Sequence, residues 1–313
     1  MLDAWTLRVS DADIGADGTT YPVTTSLKIN MPDKIRRLKS HEFANAVEWA
    51  ANEGWNPGVA DAEVFFNTDA EGFWGAFDKQ GLAAVISAVQ YSSDFGFVGF
   101  YICRPDRRGT GLGYKLWQTV LEDSVLKTIG LDGVVDQQDN YRKSGFEFAH
   151  RNVRYGGVVE ANSPTPDDLI TLETHDIAIV DAFEQTCRLF AESRINFLRG
   201  WIGNQRHTAL ALKGPMGIRG YGVIRPCKDG HKIGPLFAKN TKDAQTLFNA
   251  LLQSRDTQGG KVFLDVPDPN QSAVELAQSH NMQPEFETAR MYKGQAPELD
   301  LEMTFGISSF ELG

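Results

Sequence analysis

Three glycines alternate between an apolar, strand-like run and a helical pattern, in the segment Arg107-Arg108-Gly109-Thr110-Gly111-Leu112-Gly113. This segment constrains the fold more tightly than any other. Glycine admits backbone conformations closed to other residues, so main-chain N–H groups can turn inward and a ligand can approach them closely. The helix that follows adds unpaired N–H groups and the positive end of its dipole. Arg107 and Arg108 add charge, and the combination suits a pyrophosphate. Two common nucleotide loops do not fit. A Walker A loop needs Gly-Lys-Ser/Thr at its end, whereas Gly113 is followed by Tyr114 and Lys115. A dinucleotide loop needs GxGxxG after a strand that opens a βαβ unit; here the spacing is GxGxG.

The strand before the loop belongs to an antiparallel meander. Residues 72–77, 82–91 and 97–103 are rich in apolar residues, and Asp78-Lys79-Gln80-Gly81 and Ser92-Ser93-Asp94 supply turns between them. Upstream, Phe43, Val47, Ala50 and Ala51 recur at helical spacing, with Gly54 and Pro57-Gly58 as stop signals. Residues 61–66 read as a short second helix. Downstream, Leu112, Leu116, Val120 and Leu121 line one face of a helix. Residues 131–136 then read as a strand, 137–144 as a short helix and 146–155 as one or two strands.

The order then repeats. Ile179, Phe183, Cys187 and Phe190 mark a helix, and residues 208–212, 218–224 and 232–238 read as strands. Helices are expected over 243–252 and 272–280, and strands over 262–266 and 286–292. Tyr101 and Tyr155 are 54 residues apart, and Phe237 and Tyr292 are 55 apart. The chain therefore reads as an internal duplication of one α/β unit. Its expected organisation is an N-terminal extension over 1–27, a first domain over 28–158, a linker over 159–168 rich in proline and polar residues, and a second domain over 169–313.

Composition narrows the function. Lys plus Arg number 31 and Asp plus Glu 41, a net charge of −10. An acidic chain is a poor candidate for bulk nucleic-acid binding and more readily attracts an amine. Three dispersed cysteines and six scattered histidines suggest neither a disulfide framework nor a metal site. No apolar run approaches a bilayer span, and Met1-Leu2-Asp3-Ala4-Trp5 does not open a secretory signal, so a cytoplasmic protein without membrane attachment is expected.

Arg108-Gly109-Thr110-Gly111-Leu112-Gly113 resembles the Arg/Gln-x-x-Gly-x-Gly/Ala signature of the GNAT superfamily of N-acetyltransferases. Tyr101-Ile102-Cys103-Arg104-Pro105-Asp106 resembles the end of that superfamily's fourth strand. Tyr141-Arg142-Lys143-Ser144-Gly145-Phe146 resembles its Tyr-Glu-Lys-x-Gly-Phe stretch. The second half resembles the C-terminal partner of a tandem GNAT subfamily, through segments that include Tyr221-Gly222-Val223-Ile224-Arg225-Pro226-Cys227 and Ser309-Phe310-Glu311-Leu312-Gly313. Asn52-Glu53-Gly54-Trp55-Asn56-Pro57-Gly58 shares that likeness.

The resemblance implies an α/β fold of two tandem GNAT-like domains, each a mixed, mostly antiparallel sheet flanked by helices. It implies acetyl-CoA as co-substrate, no metal, and a small amine as acceptor. Main-chain groups of Tyr101, Ile102 and Cys103 would pair with the pantetheine arm. Those of Arg108, Gly109, Thr110, Gly111, Leu112 and Gly113 would hold the pyrophosphate. Tyr141 would face the sulfur and donate a proton to the departing thiolate. The family's strand-borne Glu is missing: Phe97, Val98 and Gly99 stand there, so a water relay or another carboxylate must act as base, with Glu48, Glu53 and Asp136 as candidates. Trp49, Trp55 and Tyr91 are candidates for the acceptor pocket. The second half lacks both the glycines, with Lys239-Asn240-Thr241-Lys242-Asp243-Ala244 in their place, and a counterpart of Tyr141. Two other readings stay open: another acyl donor or an amino-acid or peptide acceptor on the same fold, and a non-catalytic acyl-CoA sensor.

Overall fold

The computed structural model describes residues 34–122, 124–160, 166–254 and 260–313. The expected 1–27 extension and residues 161–165 of the expected linker lie outside them.

The first half opens with strand β1 (Lys34–Arg37), helices α1 (Ser40–Asn52) and α2 (Asp61–Thr68), and strand β2 (Phe73–Asp78). Phe43, Ala46, Val47 and Ala50 make the buried stripe of α1. The chain leaves α1 through Gly54 at φ +82°, a left-handed conformation that costs glycine nothing. β2, β3 (Gly81–Gln90) and β4 (Phe95–Cys103) form the antiparallel meander. Helix α3 (Leu112–Leu121) crosses over to β5 (Thr128–Val134), which pairs parallel with β4. Helix α4 (Gln138–Lys143) and strand β6 (Glu147–Val158) follow.

The second half repeats the plan. Its elements are β7 (Leu169–Thr171), α5 (Ile177–Thr186), α6 (Ile195–Gly203), β8 (Thr208–Gly214), β9 (Gly217–Pro226), β10 (His231–Ala238), α7 (Thr241–Gln253), β11 (Lys261–Pro267), α8 (Gln271–Ser279), β12 (Gln283–Lys293) and β13 (Thr304–Gly306). β10 and β11 pair parallel, as β4 and β5 do. The helix expected through Phe190 is shorter. Arg188 turns left-handed at φ +51°, and the Leu189 N–H donates to the Glu184 carbonyl at 2.8 Å, ending the helix before Phe190. Ile179, expected on its inner face, is exposed. The sequence reading placed no element at short β1, β7 and β13 or at helix α6, although α6 buries Phe197, Leu198, Trp201 and Ile202 at helical spacing.

Both halves are mixed, mostly antiparallel sheets flanked by helices, and they fuse into one sheet. The strand order is β1-β2-β3-β4-β5-β12-β6-β11-β10-β9-β8-β7, with β13 against β10. The last long strands are exchanged: β12 of the second half pairs with β5, and β6 of the first pairs with β11. β6 and β12 pair with each other at the seam. On the other side of β6 a buried bidentate ion pair joins the halves, from Arg154 on β6 to Asp265 on β11 at 2.6 and 2.8 Å. Among the described residues no helix is long and apolar enough to cross a membrane.

Candidate active site

The parallel pairing of β4 with β5 lasts only from Phe95↔Thr128 to Val98↔Leu131. Beyond Val98 the strands part. The cause lies on the other edge of β4, where Val85 faces Ile102 and Ser87 faces Gly99, one extra residue on β4. Such a bulge bends a strand. Phe100 absorbs the bend at φ +46°, wedged against Phe43 at 5.0 Å and Phe65 at 5.9 Å. The edge of β4 from Gly99 to Cys103 therefore faces β5 with no strand paired to it. A cleft of about 610 Å³ opens along this edge, within the size range of small-molecule sites.

One end of the cleft is the glycine loop. Gly109 and Gly111 are left-handed, at φ +73° and +80°. A Cβ on Gly111 would meet nothing within 4 Å, so glycine is needed there for conformation rather than space. Gly113 is needed for space: a Cβ would lie 2.7 Å from the Cys103 sulfur and 2.8 Å from the Tyr101 hydroxyl. Gly111 caps α3, whose first turn carries no acidic residue. Leu112 is buried beneath the helix, and Thr110 donates to the Arg107 carbonyl at 2.7 Å; neither side chain lines the cleft. The two arginines are already matched. Arg107 pairs with Asp78, which also takes Arg104, and Arg108 pairs with Glu53 while its Nε donates to the Cys103 carbonyl at 3.1 Å. They brace the loop, and main-chain N–H groups of the loop and of α3 remain to meet a phosphate.

Along the middle stand Tyr101, Ile102, Cys103 and Tyr141. Tyr141, on α4, lies 5.6 Å from the Trp117 ring, and a Cβ on Gly133 would collide with it. Burial pushes the Tyr141 phenol above its ordinary range, which makes it a weaker acid than a phenol in water. Tyr101 packs 5.2 Å from the same Trp117 and is raised by burial too. Burial pushes the Cys103 thiol up to about 11, against the opposing pull of Arg108 and the Gly113 N–H. A thiol in that state is a wall, not a nucleophile.

The far end is walled by Trp55, Phe100 and Asp136, by Glu285, Phe286, Glu287 and Thr288 of β12, and by Phe310 and Glu311. Exchanged strand β6 and the second half fix this wall together. Arg154 donates to the Trp55 carbonyl at 2.7 Å, and Lys232 to that of Asn56 at 3.1 Å. Asn56 exchanges two 2.9 Å bonds with Asp229. Asp132 also lines the cleft but is held bidentately by Arg290 at 2.6 and 2.9 Å.

The structure does not bring every candidate here. Tyr91 lies outside the cleft: it packs 4.8 Å from Phe190, and its hydroxyl donates to the Leu312 carbonyl at 2.8 Å. Trp49 packs on the core, and Glu48 pairs with Lys228 on the surface. The residues of β12 and the 307–313 segment had no sequence signal as site residues, because only strand exchange brings them to the first half. Ser309-Phe310-Glu311-Leu312-Gly313 stood out as a motif without a stated purpose. Among the described residues no group of three or more His, Cys, Asp or Glu side chains is placed to hold a metal ion.

Residues 38–146 match the acetyltransferase (GNAT) family, and residues 183–306 match an acetyltransferase (GNAT) domain. A holothin acyltransferase from Pseudoalteromonas sp. (strain SANK 73390) is 29% identical over 280 residues, 90% of this chain and 94% of that protein. A crystal structure from Pyrococcus horikoshii shares the fold at a TM-score of 0.76 and 20% identity, over 90% of this chain and 95% of that one. A tandem GNAT protein from the clavulanic acid biosynthesis pathway shares it at 0.56 and 12%, over 84% and 99%.

Proposed function

The chain belongs to the tandem GNAT-domain acetyltransferase superfamily, and we propose that its first half is an acyl-CoA-dependent N-acyltransferase that moves acetyl from acetyl-CoA to a small amine. One observation carries the reading: the unpaired edge of β4 runs without a break from the glycine loop, past Tyr141, to an acidic and aromatic far wall. An extended pantetheine arm could add to that edge as a strand does. Acyl-CoA supplies a thioester. The loop and the N-terminus of α3 would hold its pyrophosphate, and β4 would align the carbonyl near Gly99. Tyr141, a phenol that carries its proton at neutral pH, would donate it as the thiolate leaves. Trp55, Phe286 and Phe310 would hold the acceptor's apolar body.

A second donor reading has one support. The 29% identical relative is named for an acyl rather than an acetyl group, and for holothin as acceptor. A longer acyl chain and a holothin-like amine are therefore tested together with acetyl. The experiment follows CoA release from acetyl- and longer acyl-CoA with a panel of amines that includes holothin. Amine-dependent release is expected. Tight acyl-CoA binding with no release to any amine would favour a sensor instead.

A further inference from the structure

We propose that Glu311, on the segment that follows β13, is the general base that takes the proton from the acceptor amine; the proposal rests on the acyltransferase reading above. The first half has no carboxylate on β4 where one would face the fork, since Phe97, Val98 and Gly99 stand there. The second half brings the main chain of Glu311 to that place, with its buried carboxyl beside Lys232, Asp61, Arg154 and Arg225. Gly99 is the first β4 residue beyond the last pair with β5, and a Cβ on it would run into the Glu311 carbonyl oxygen. The chain of residues 309–312 therefore crosses β4 at the fork. Its position is fixed by the Tyr91 hydroxyl on the Leu312 carbonyl, by the Leu312 N–H on Ser309 Oγ at 3.0 Å, and by the Phe310 ring beneath Arg154 at 4.7 Å. Glu311 lines the cleft, yet only 3% of it is exposed.

The other cleft carboxylates are engaged or open to water. Glu53 is paired with Arg108, Asp132 with Arg290, and Glu285 with Lys261, while Asp136 and Glu287 are exposed. Behind Glu311 lies a buried charged group. Within it Arg154 is matched by Asp265, while Arg225 gives only its Nε to Asp61 at 3.2 Å and its two terminal nitrogens find no partner among the described residues. Lys232 is the cation with the largest effect on Glu311, ahead of Arg154 and Arg225. Burial raises the Glu311 carboxyl above the ordinary range, and Lys232 opposes this. Burial lowers Lys232. A carboxylate so placed is better matched to an ammonium proton than one in water.

The step balances. The amine nitrogen gives its proton to the Glu311 carboxylate and its electron pair to the acyl carbon. A C–N bond forms, the C–S bond breaks, and the leaving thiolate takes the Tyr141 proton. The phenolate recovers a proton through water, and Glu311 releases one to solvent.

Glu311→Gln and Glu311→Asp test this, by calorimetric titration with acetyl-CoA and by the pH dependence of kcat/KM for the best amine. The Gln variant is expected to bind acetyl-CoA within about twofold of wild type and to lose about 10²-fold or more in kcat/KM. It should also lose the acidic limb, the rise in rate as Glu311 deprotonates with increasing pH. The Asp variant, retracted by one methylene, should keep that limb at about a tenth of the rate. A Gln variant within about threefold of wild type, or one with an unchanged limb, overturns the proposal and leaves the acyltransferase reading standing. If the Gln variant fails to bind acetyl-CoA, the Asp variant decides, and full wild-type rate overturns the proposal. A wild-type protein that transfers to no amine overturns both.

Discussion

The two halves fork at the same place, and only one fork is open. In the first half β4 leaves β5 after Val98, and the space between them is the cleft. In the second half β10 leaves β11 after Ile233, and β13 lies on β10, with Leu236 facing Gly306 and Phe237 facing Thr304. The next residue, Ile307, donates to the Asp265 carbonyl of β11 at 2.9 Å. The second half satisfies with its own chain the edge that the first half leaves for a ligand. The helices beyond the forks differ likewise. α7 is capped by Asn240, whose side chain accepts from the Asp243 N–H at 3.0 Å, and Asp243 adds a negative charge in the first turn. These groups spend the dipole and donors that α3, capped by glycine and free of acid, presents to a phosphate. The proposed binding site is thus made by omission: one strand and one cap fewer.

The comparison holds that the second half gives up its own site and supports the other. Its most damaging test is the buried ion pair that joins the halves. Arg154→Ala should leave Asp265 buried and unpaired and lower unfolding stability by about 3–5 kcal/mol, read from the denaturant midpoint. A loss below about 1 kcal/mol would mean that this pair is not a structural joint. Next in size is Tyr141→Phe, which should lower turnover about 10²-fold or more with acetyl-CoA affinity unchanged. Near-normal turnover, with chemistry shown to be rate-limiting, would remove the feature that sets the first half apart. Gly111→Val puts a branched side chain on a left-handed residue, and it should weaken acetyl-CoA binding at least tenfold, about 1.4 kcal/mol, in a folded protein. The smallest effect is expected from Lys239→Ala with Lys242→Ala. Wild type and this variant should both saturate at one acetyl-CoA per chain, with affinities within about twofold. Saturation at two would mean that β13 yields its place.

What the sequence made legible follows from range. The glycine loop and the meander are local patterns, and both form at the residues where their spacing placed them; Tyr141 was singled out by the family resemblance alone, and it lines the cleft. The duplication was visible because both halves keep one order of elements. Partners distant in sequence were not visible. Nothing in Glu147–Val158 says that it pairs with Lys261–Pro267 rather than within its own half, because a strand's alternation names its buried face and not its neighbour. The same limit hid Glu285, Glu287, Phe310 and Glu311, and it gave Tyr91 a place in the pocket that an aromatic cluster with Phe95 and Phe190 denies it. Three-residue β13 was too short for any period to mark.

The strand exchange also sets a timetable. During synthesis the first half emerges with its meander, loop and Tyr141 complete, but β5 lacks its neighbour until Gln283–Lys293 has been made. The floor of the cleft waits longer still, for Phe310 and Glu311. Domains of nascent chains ordinarily fold one after another as they leave the ribosome. Here the first must idle with an unpaired edge and an unwalled cleft while well over a hundred further residues are added. At roughly 5–20 residues per second that is a wait of about 7–30 seconds, during which the open β5 edge is available to a wrong strand.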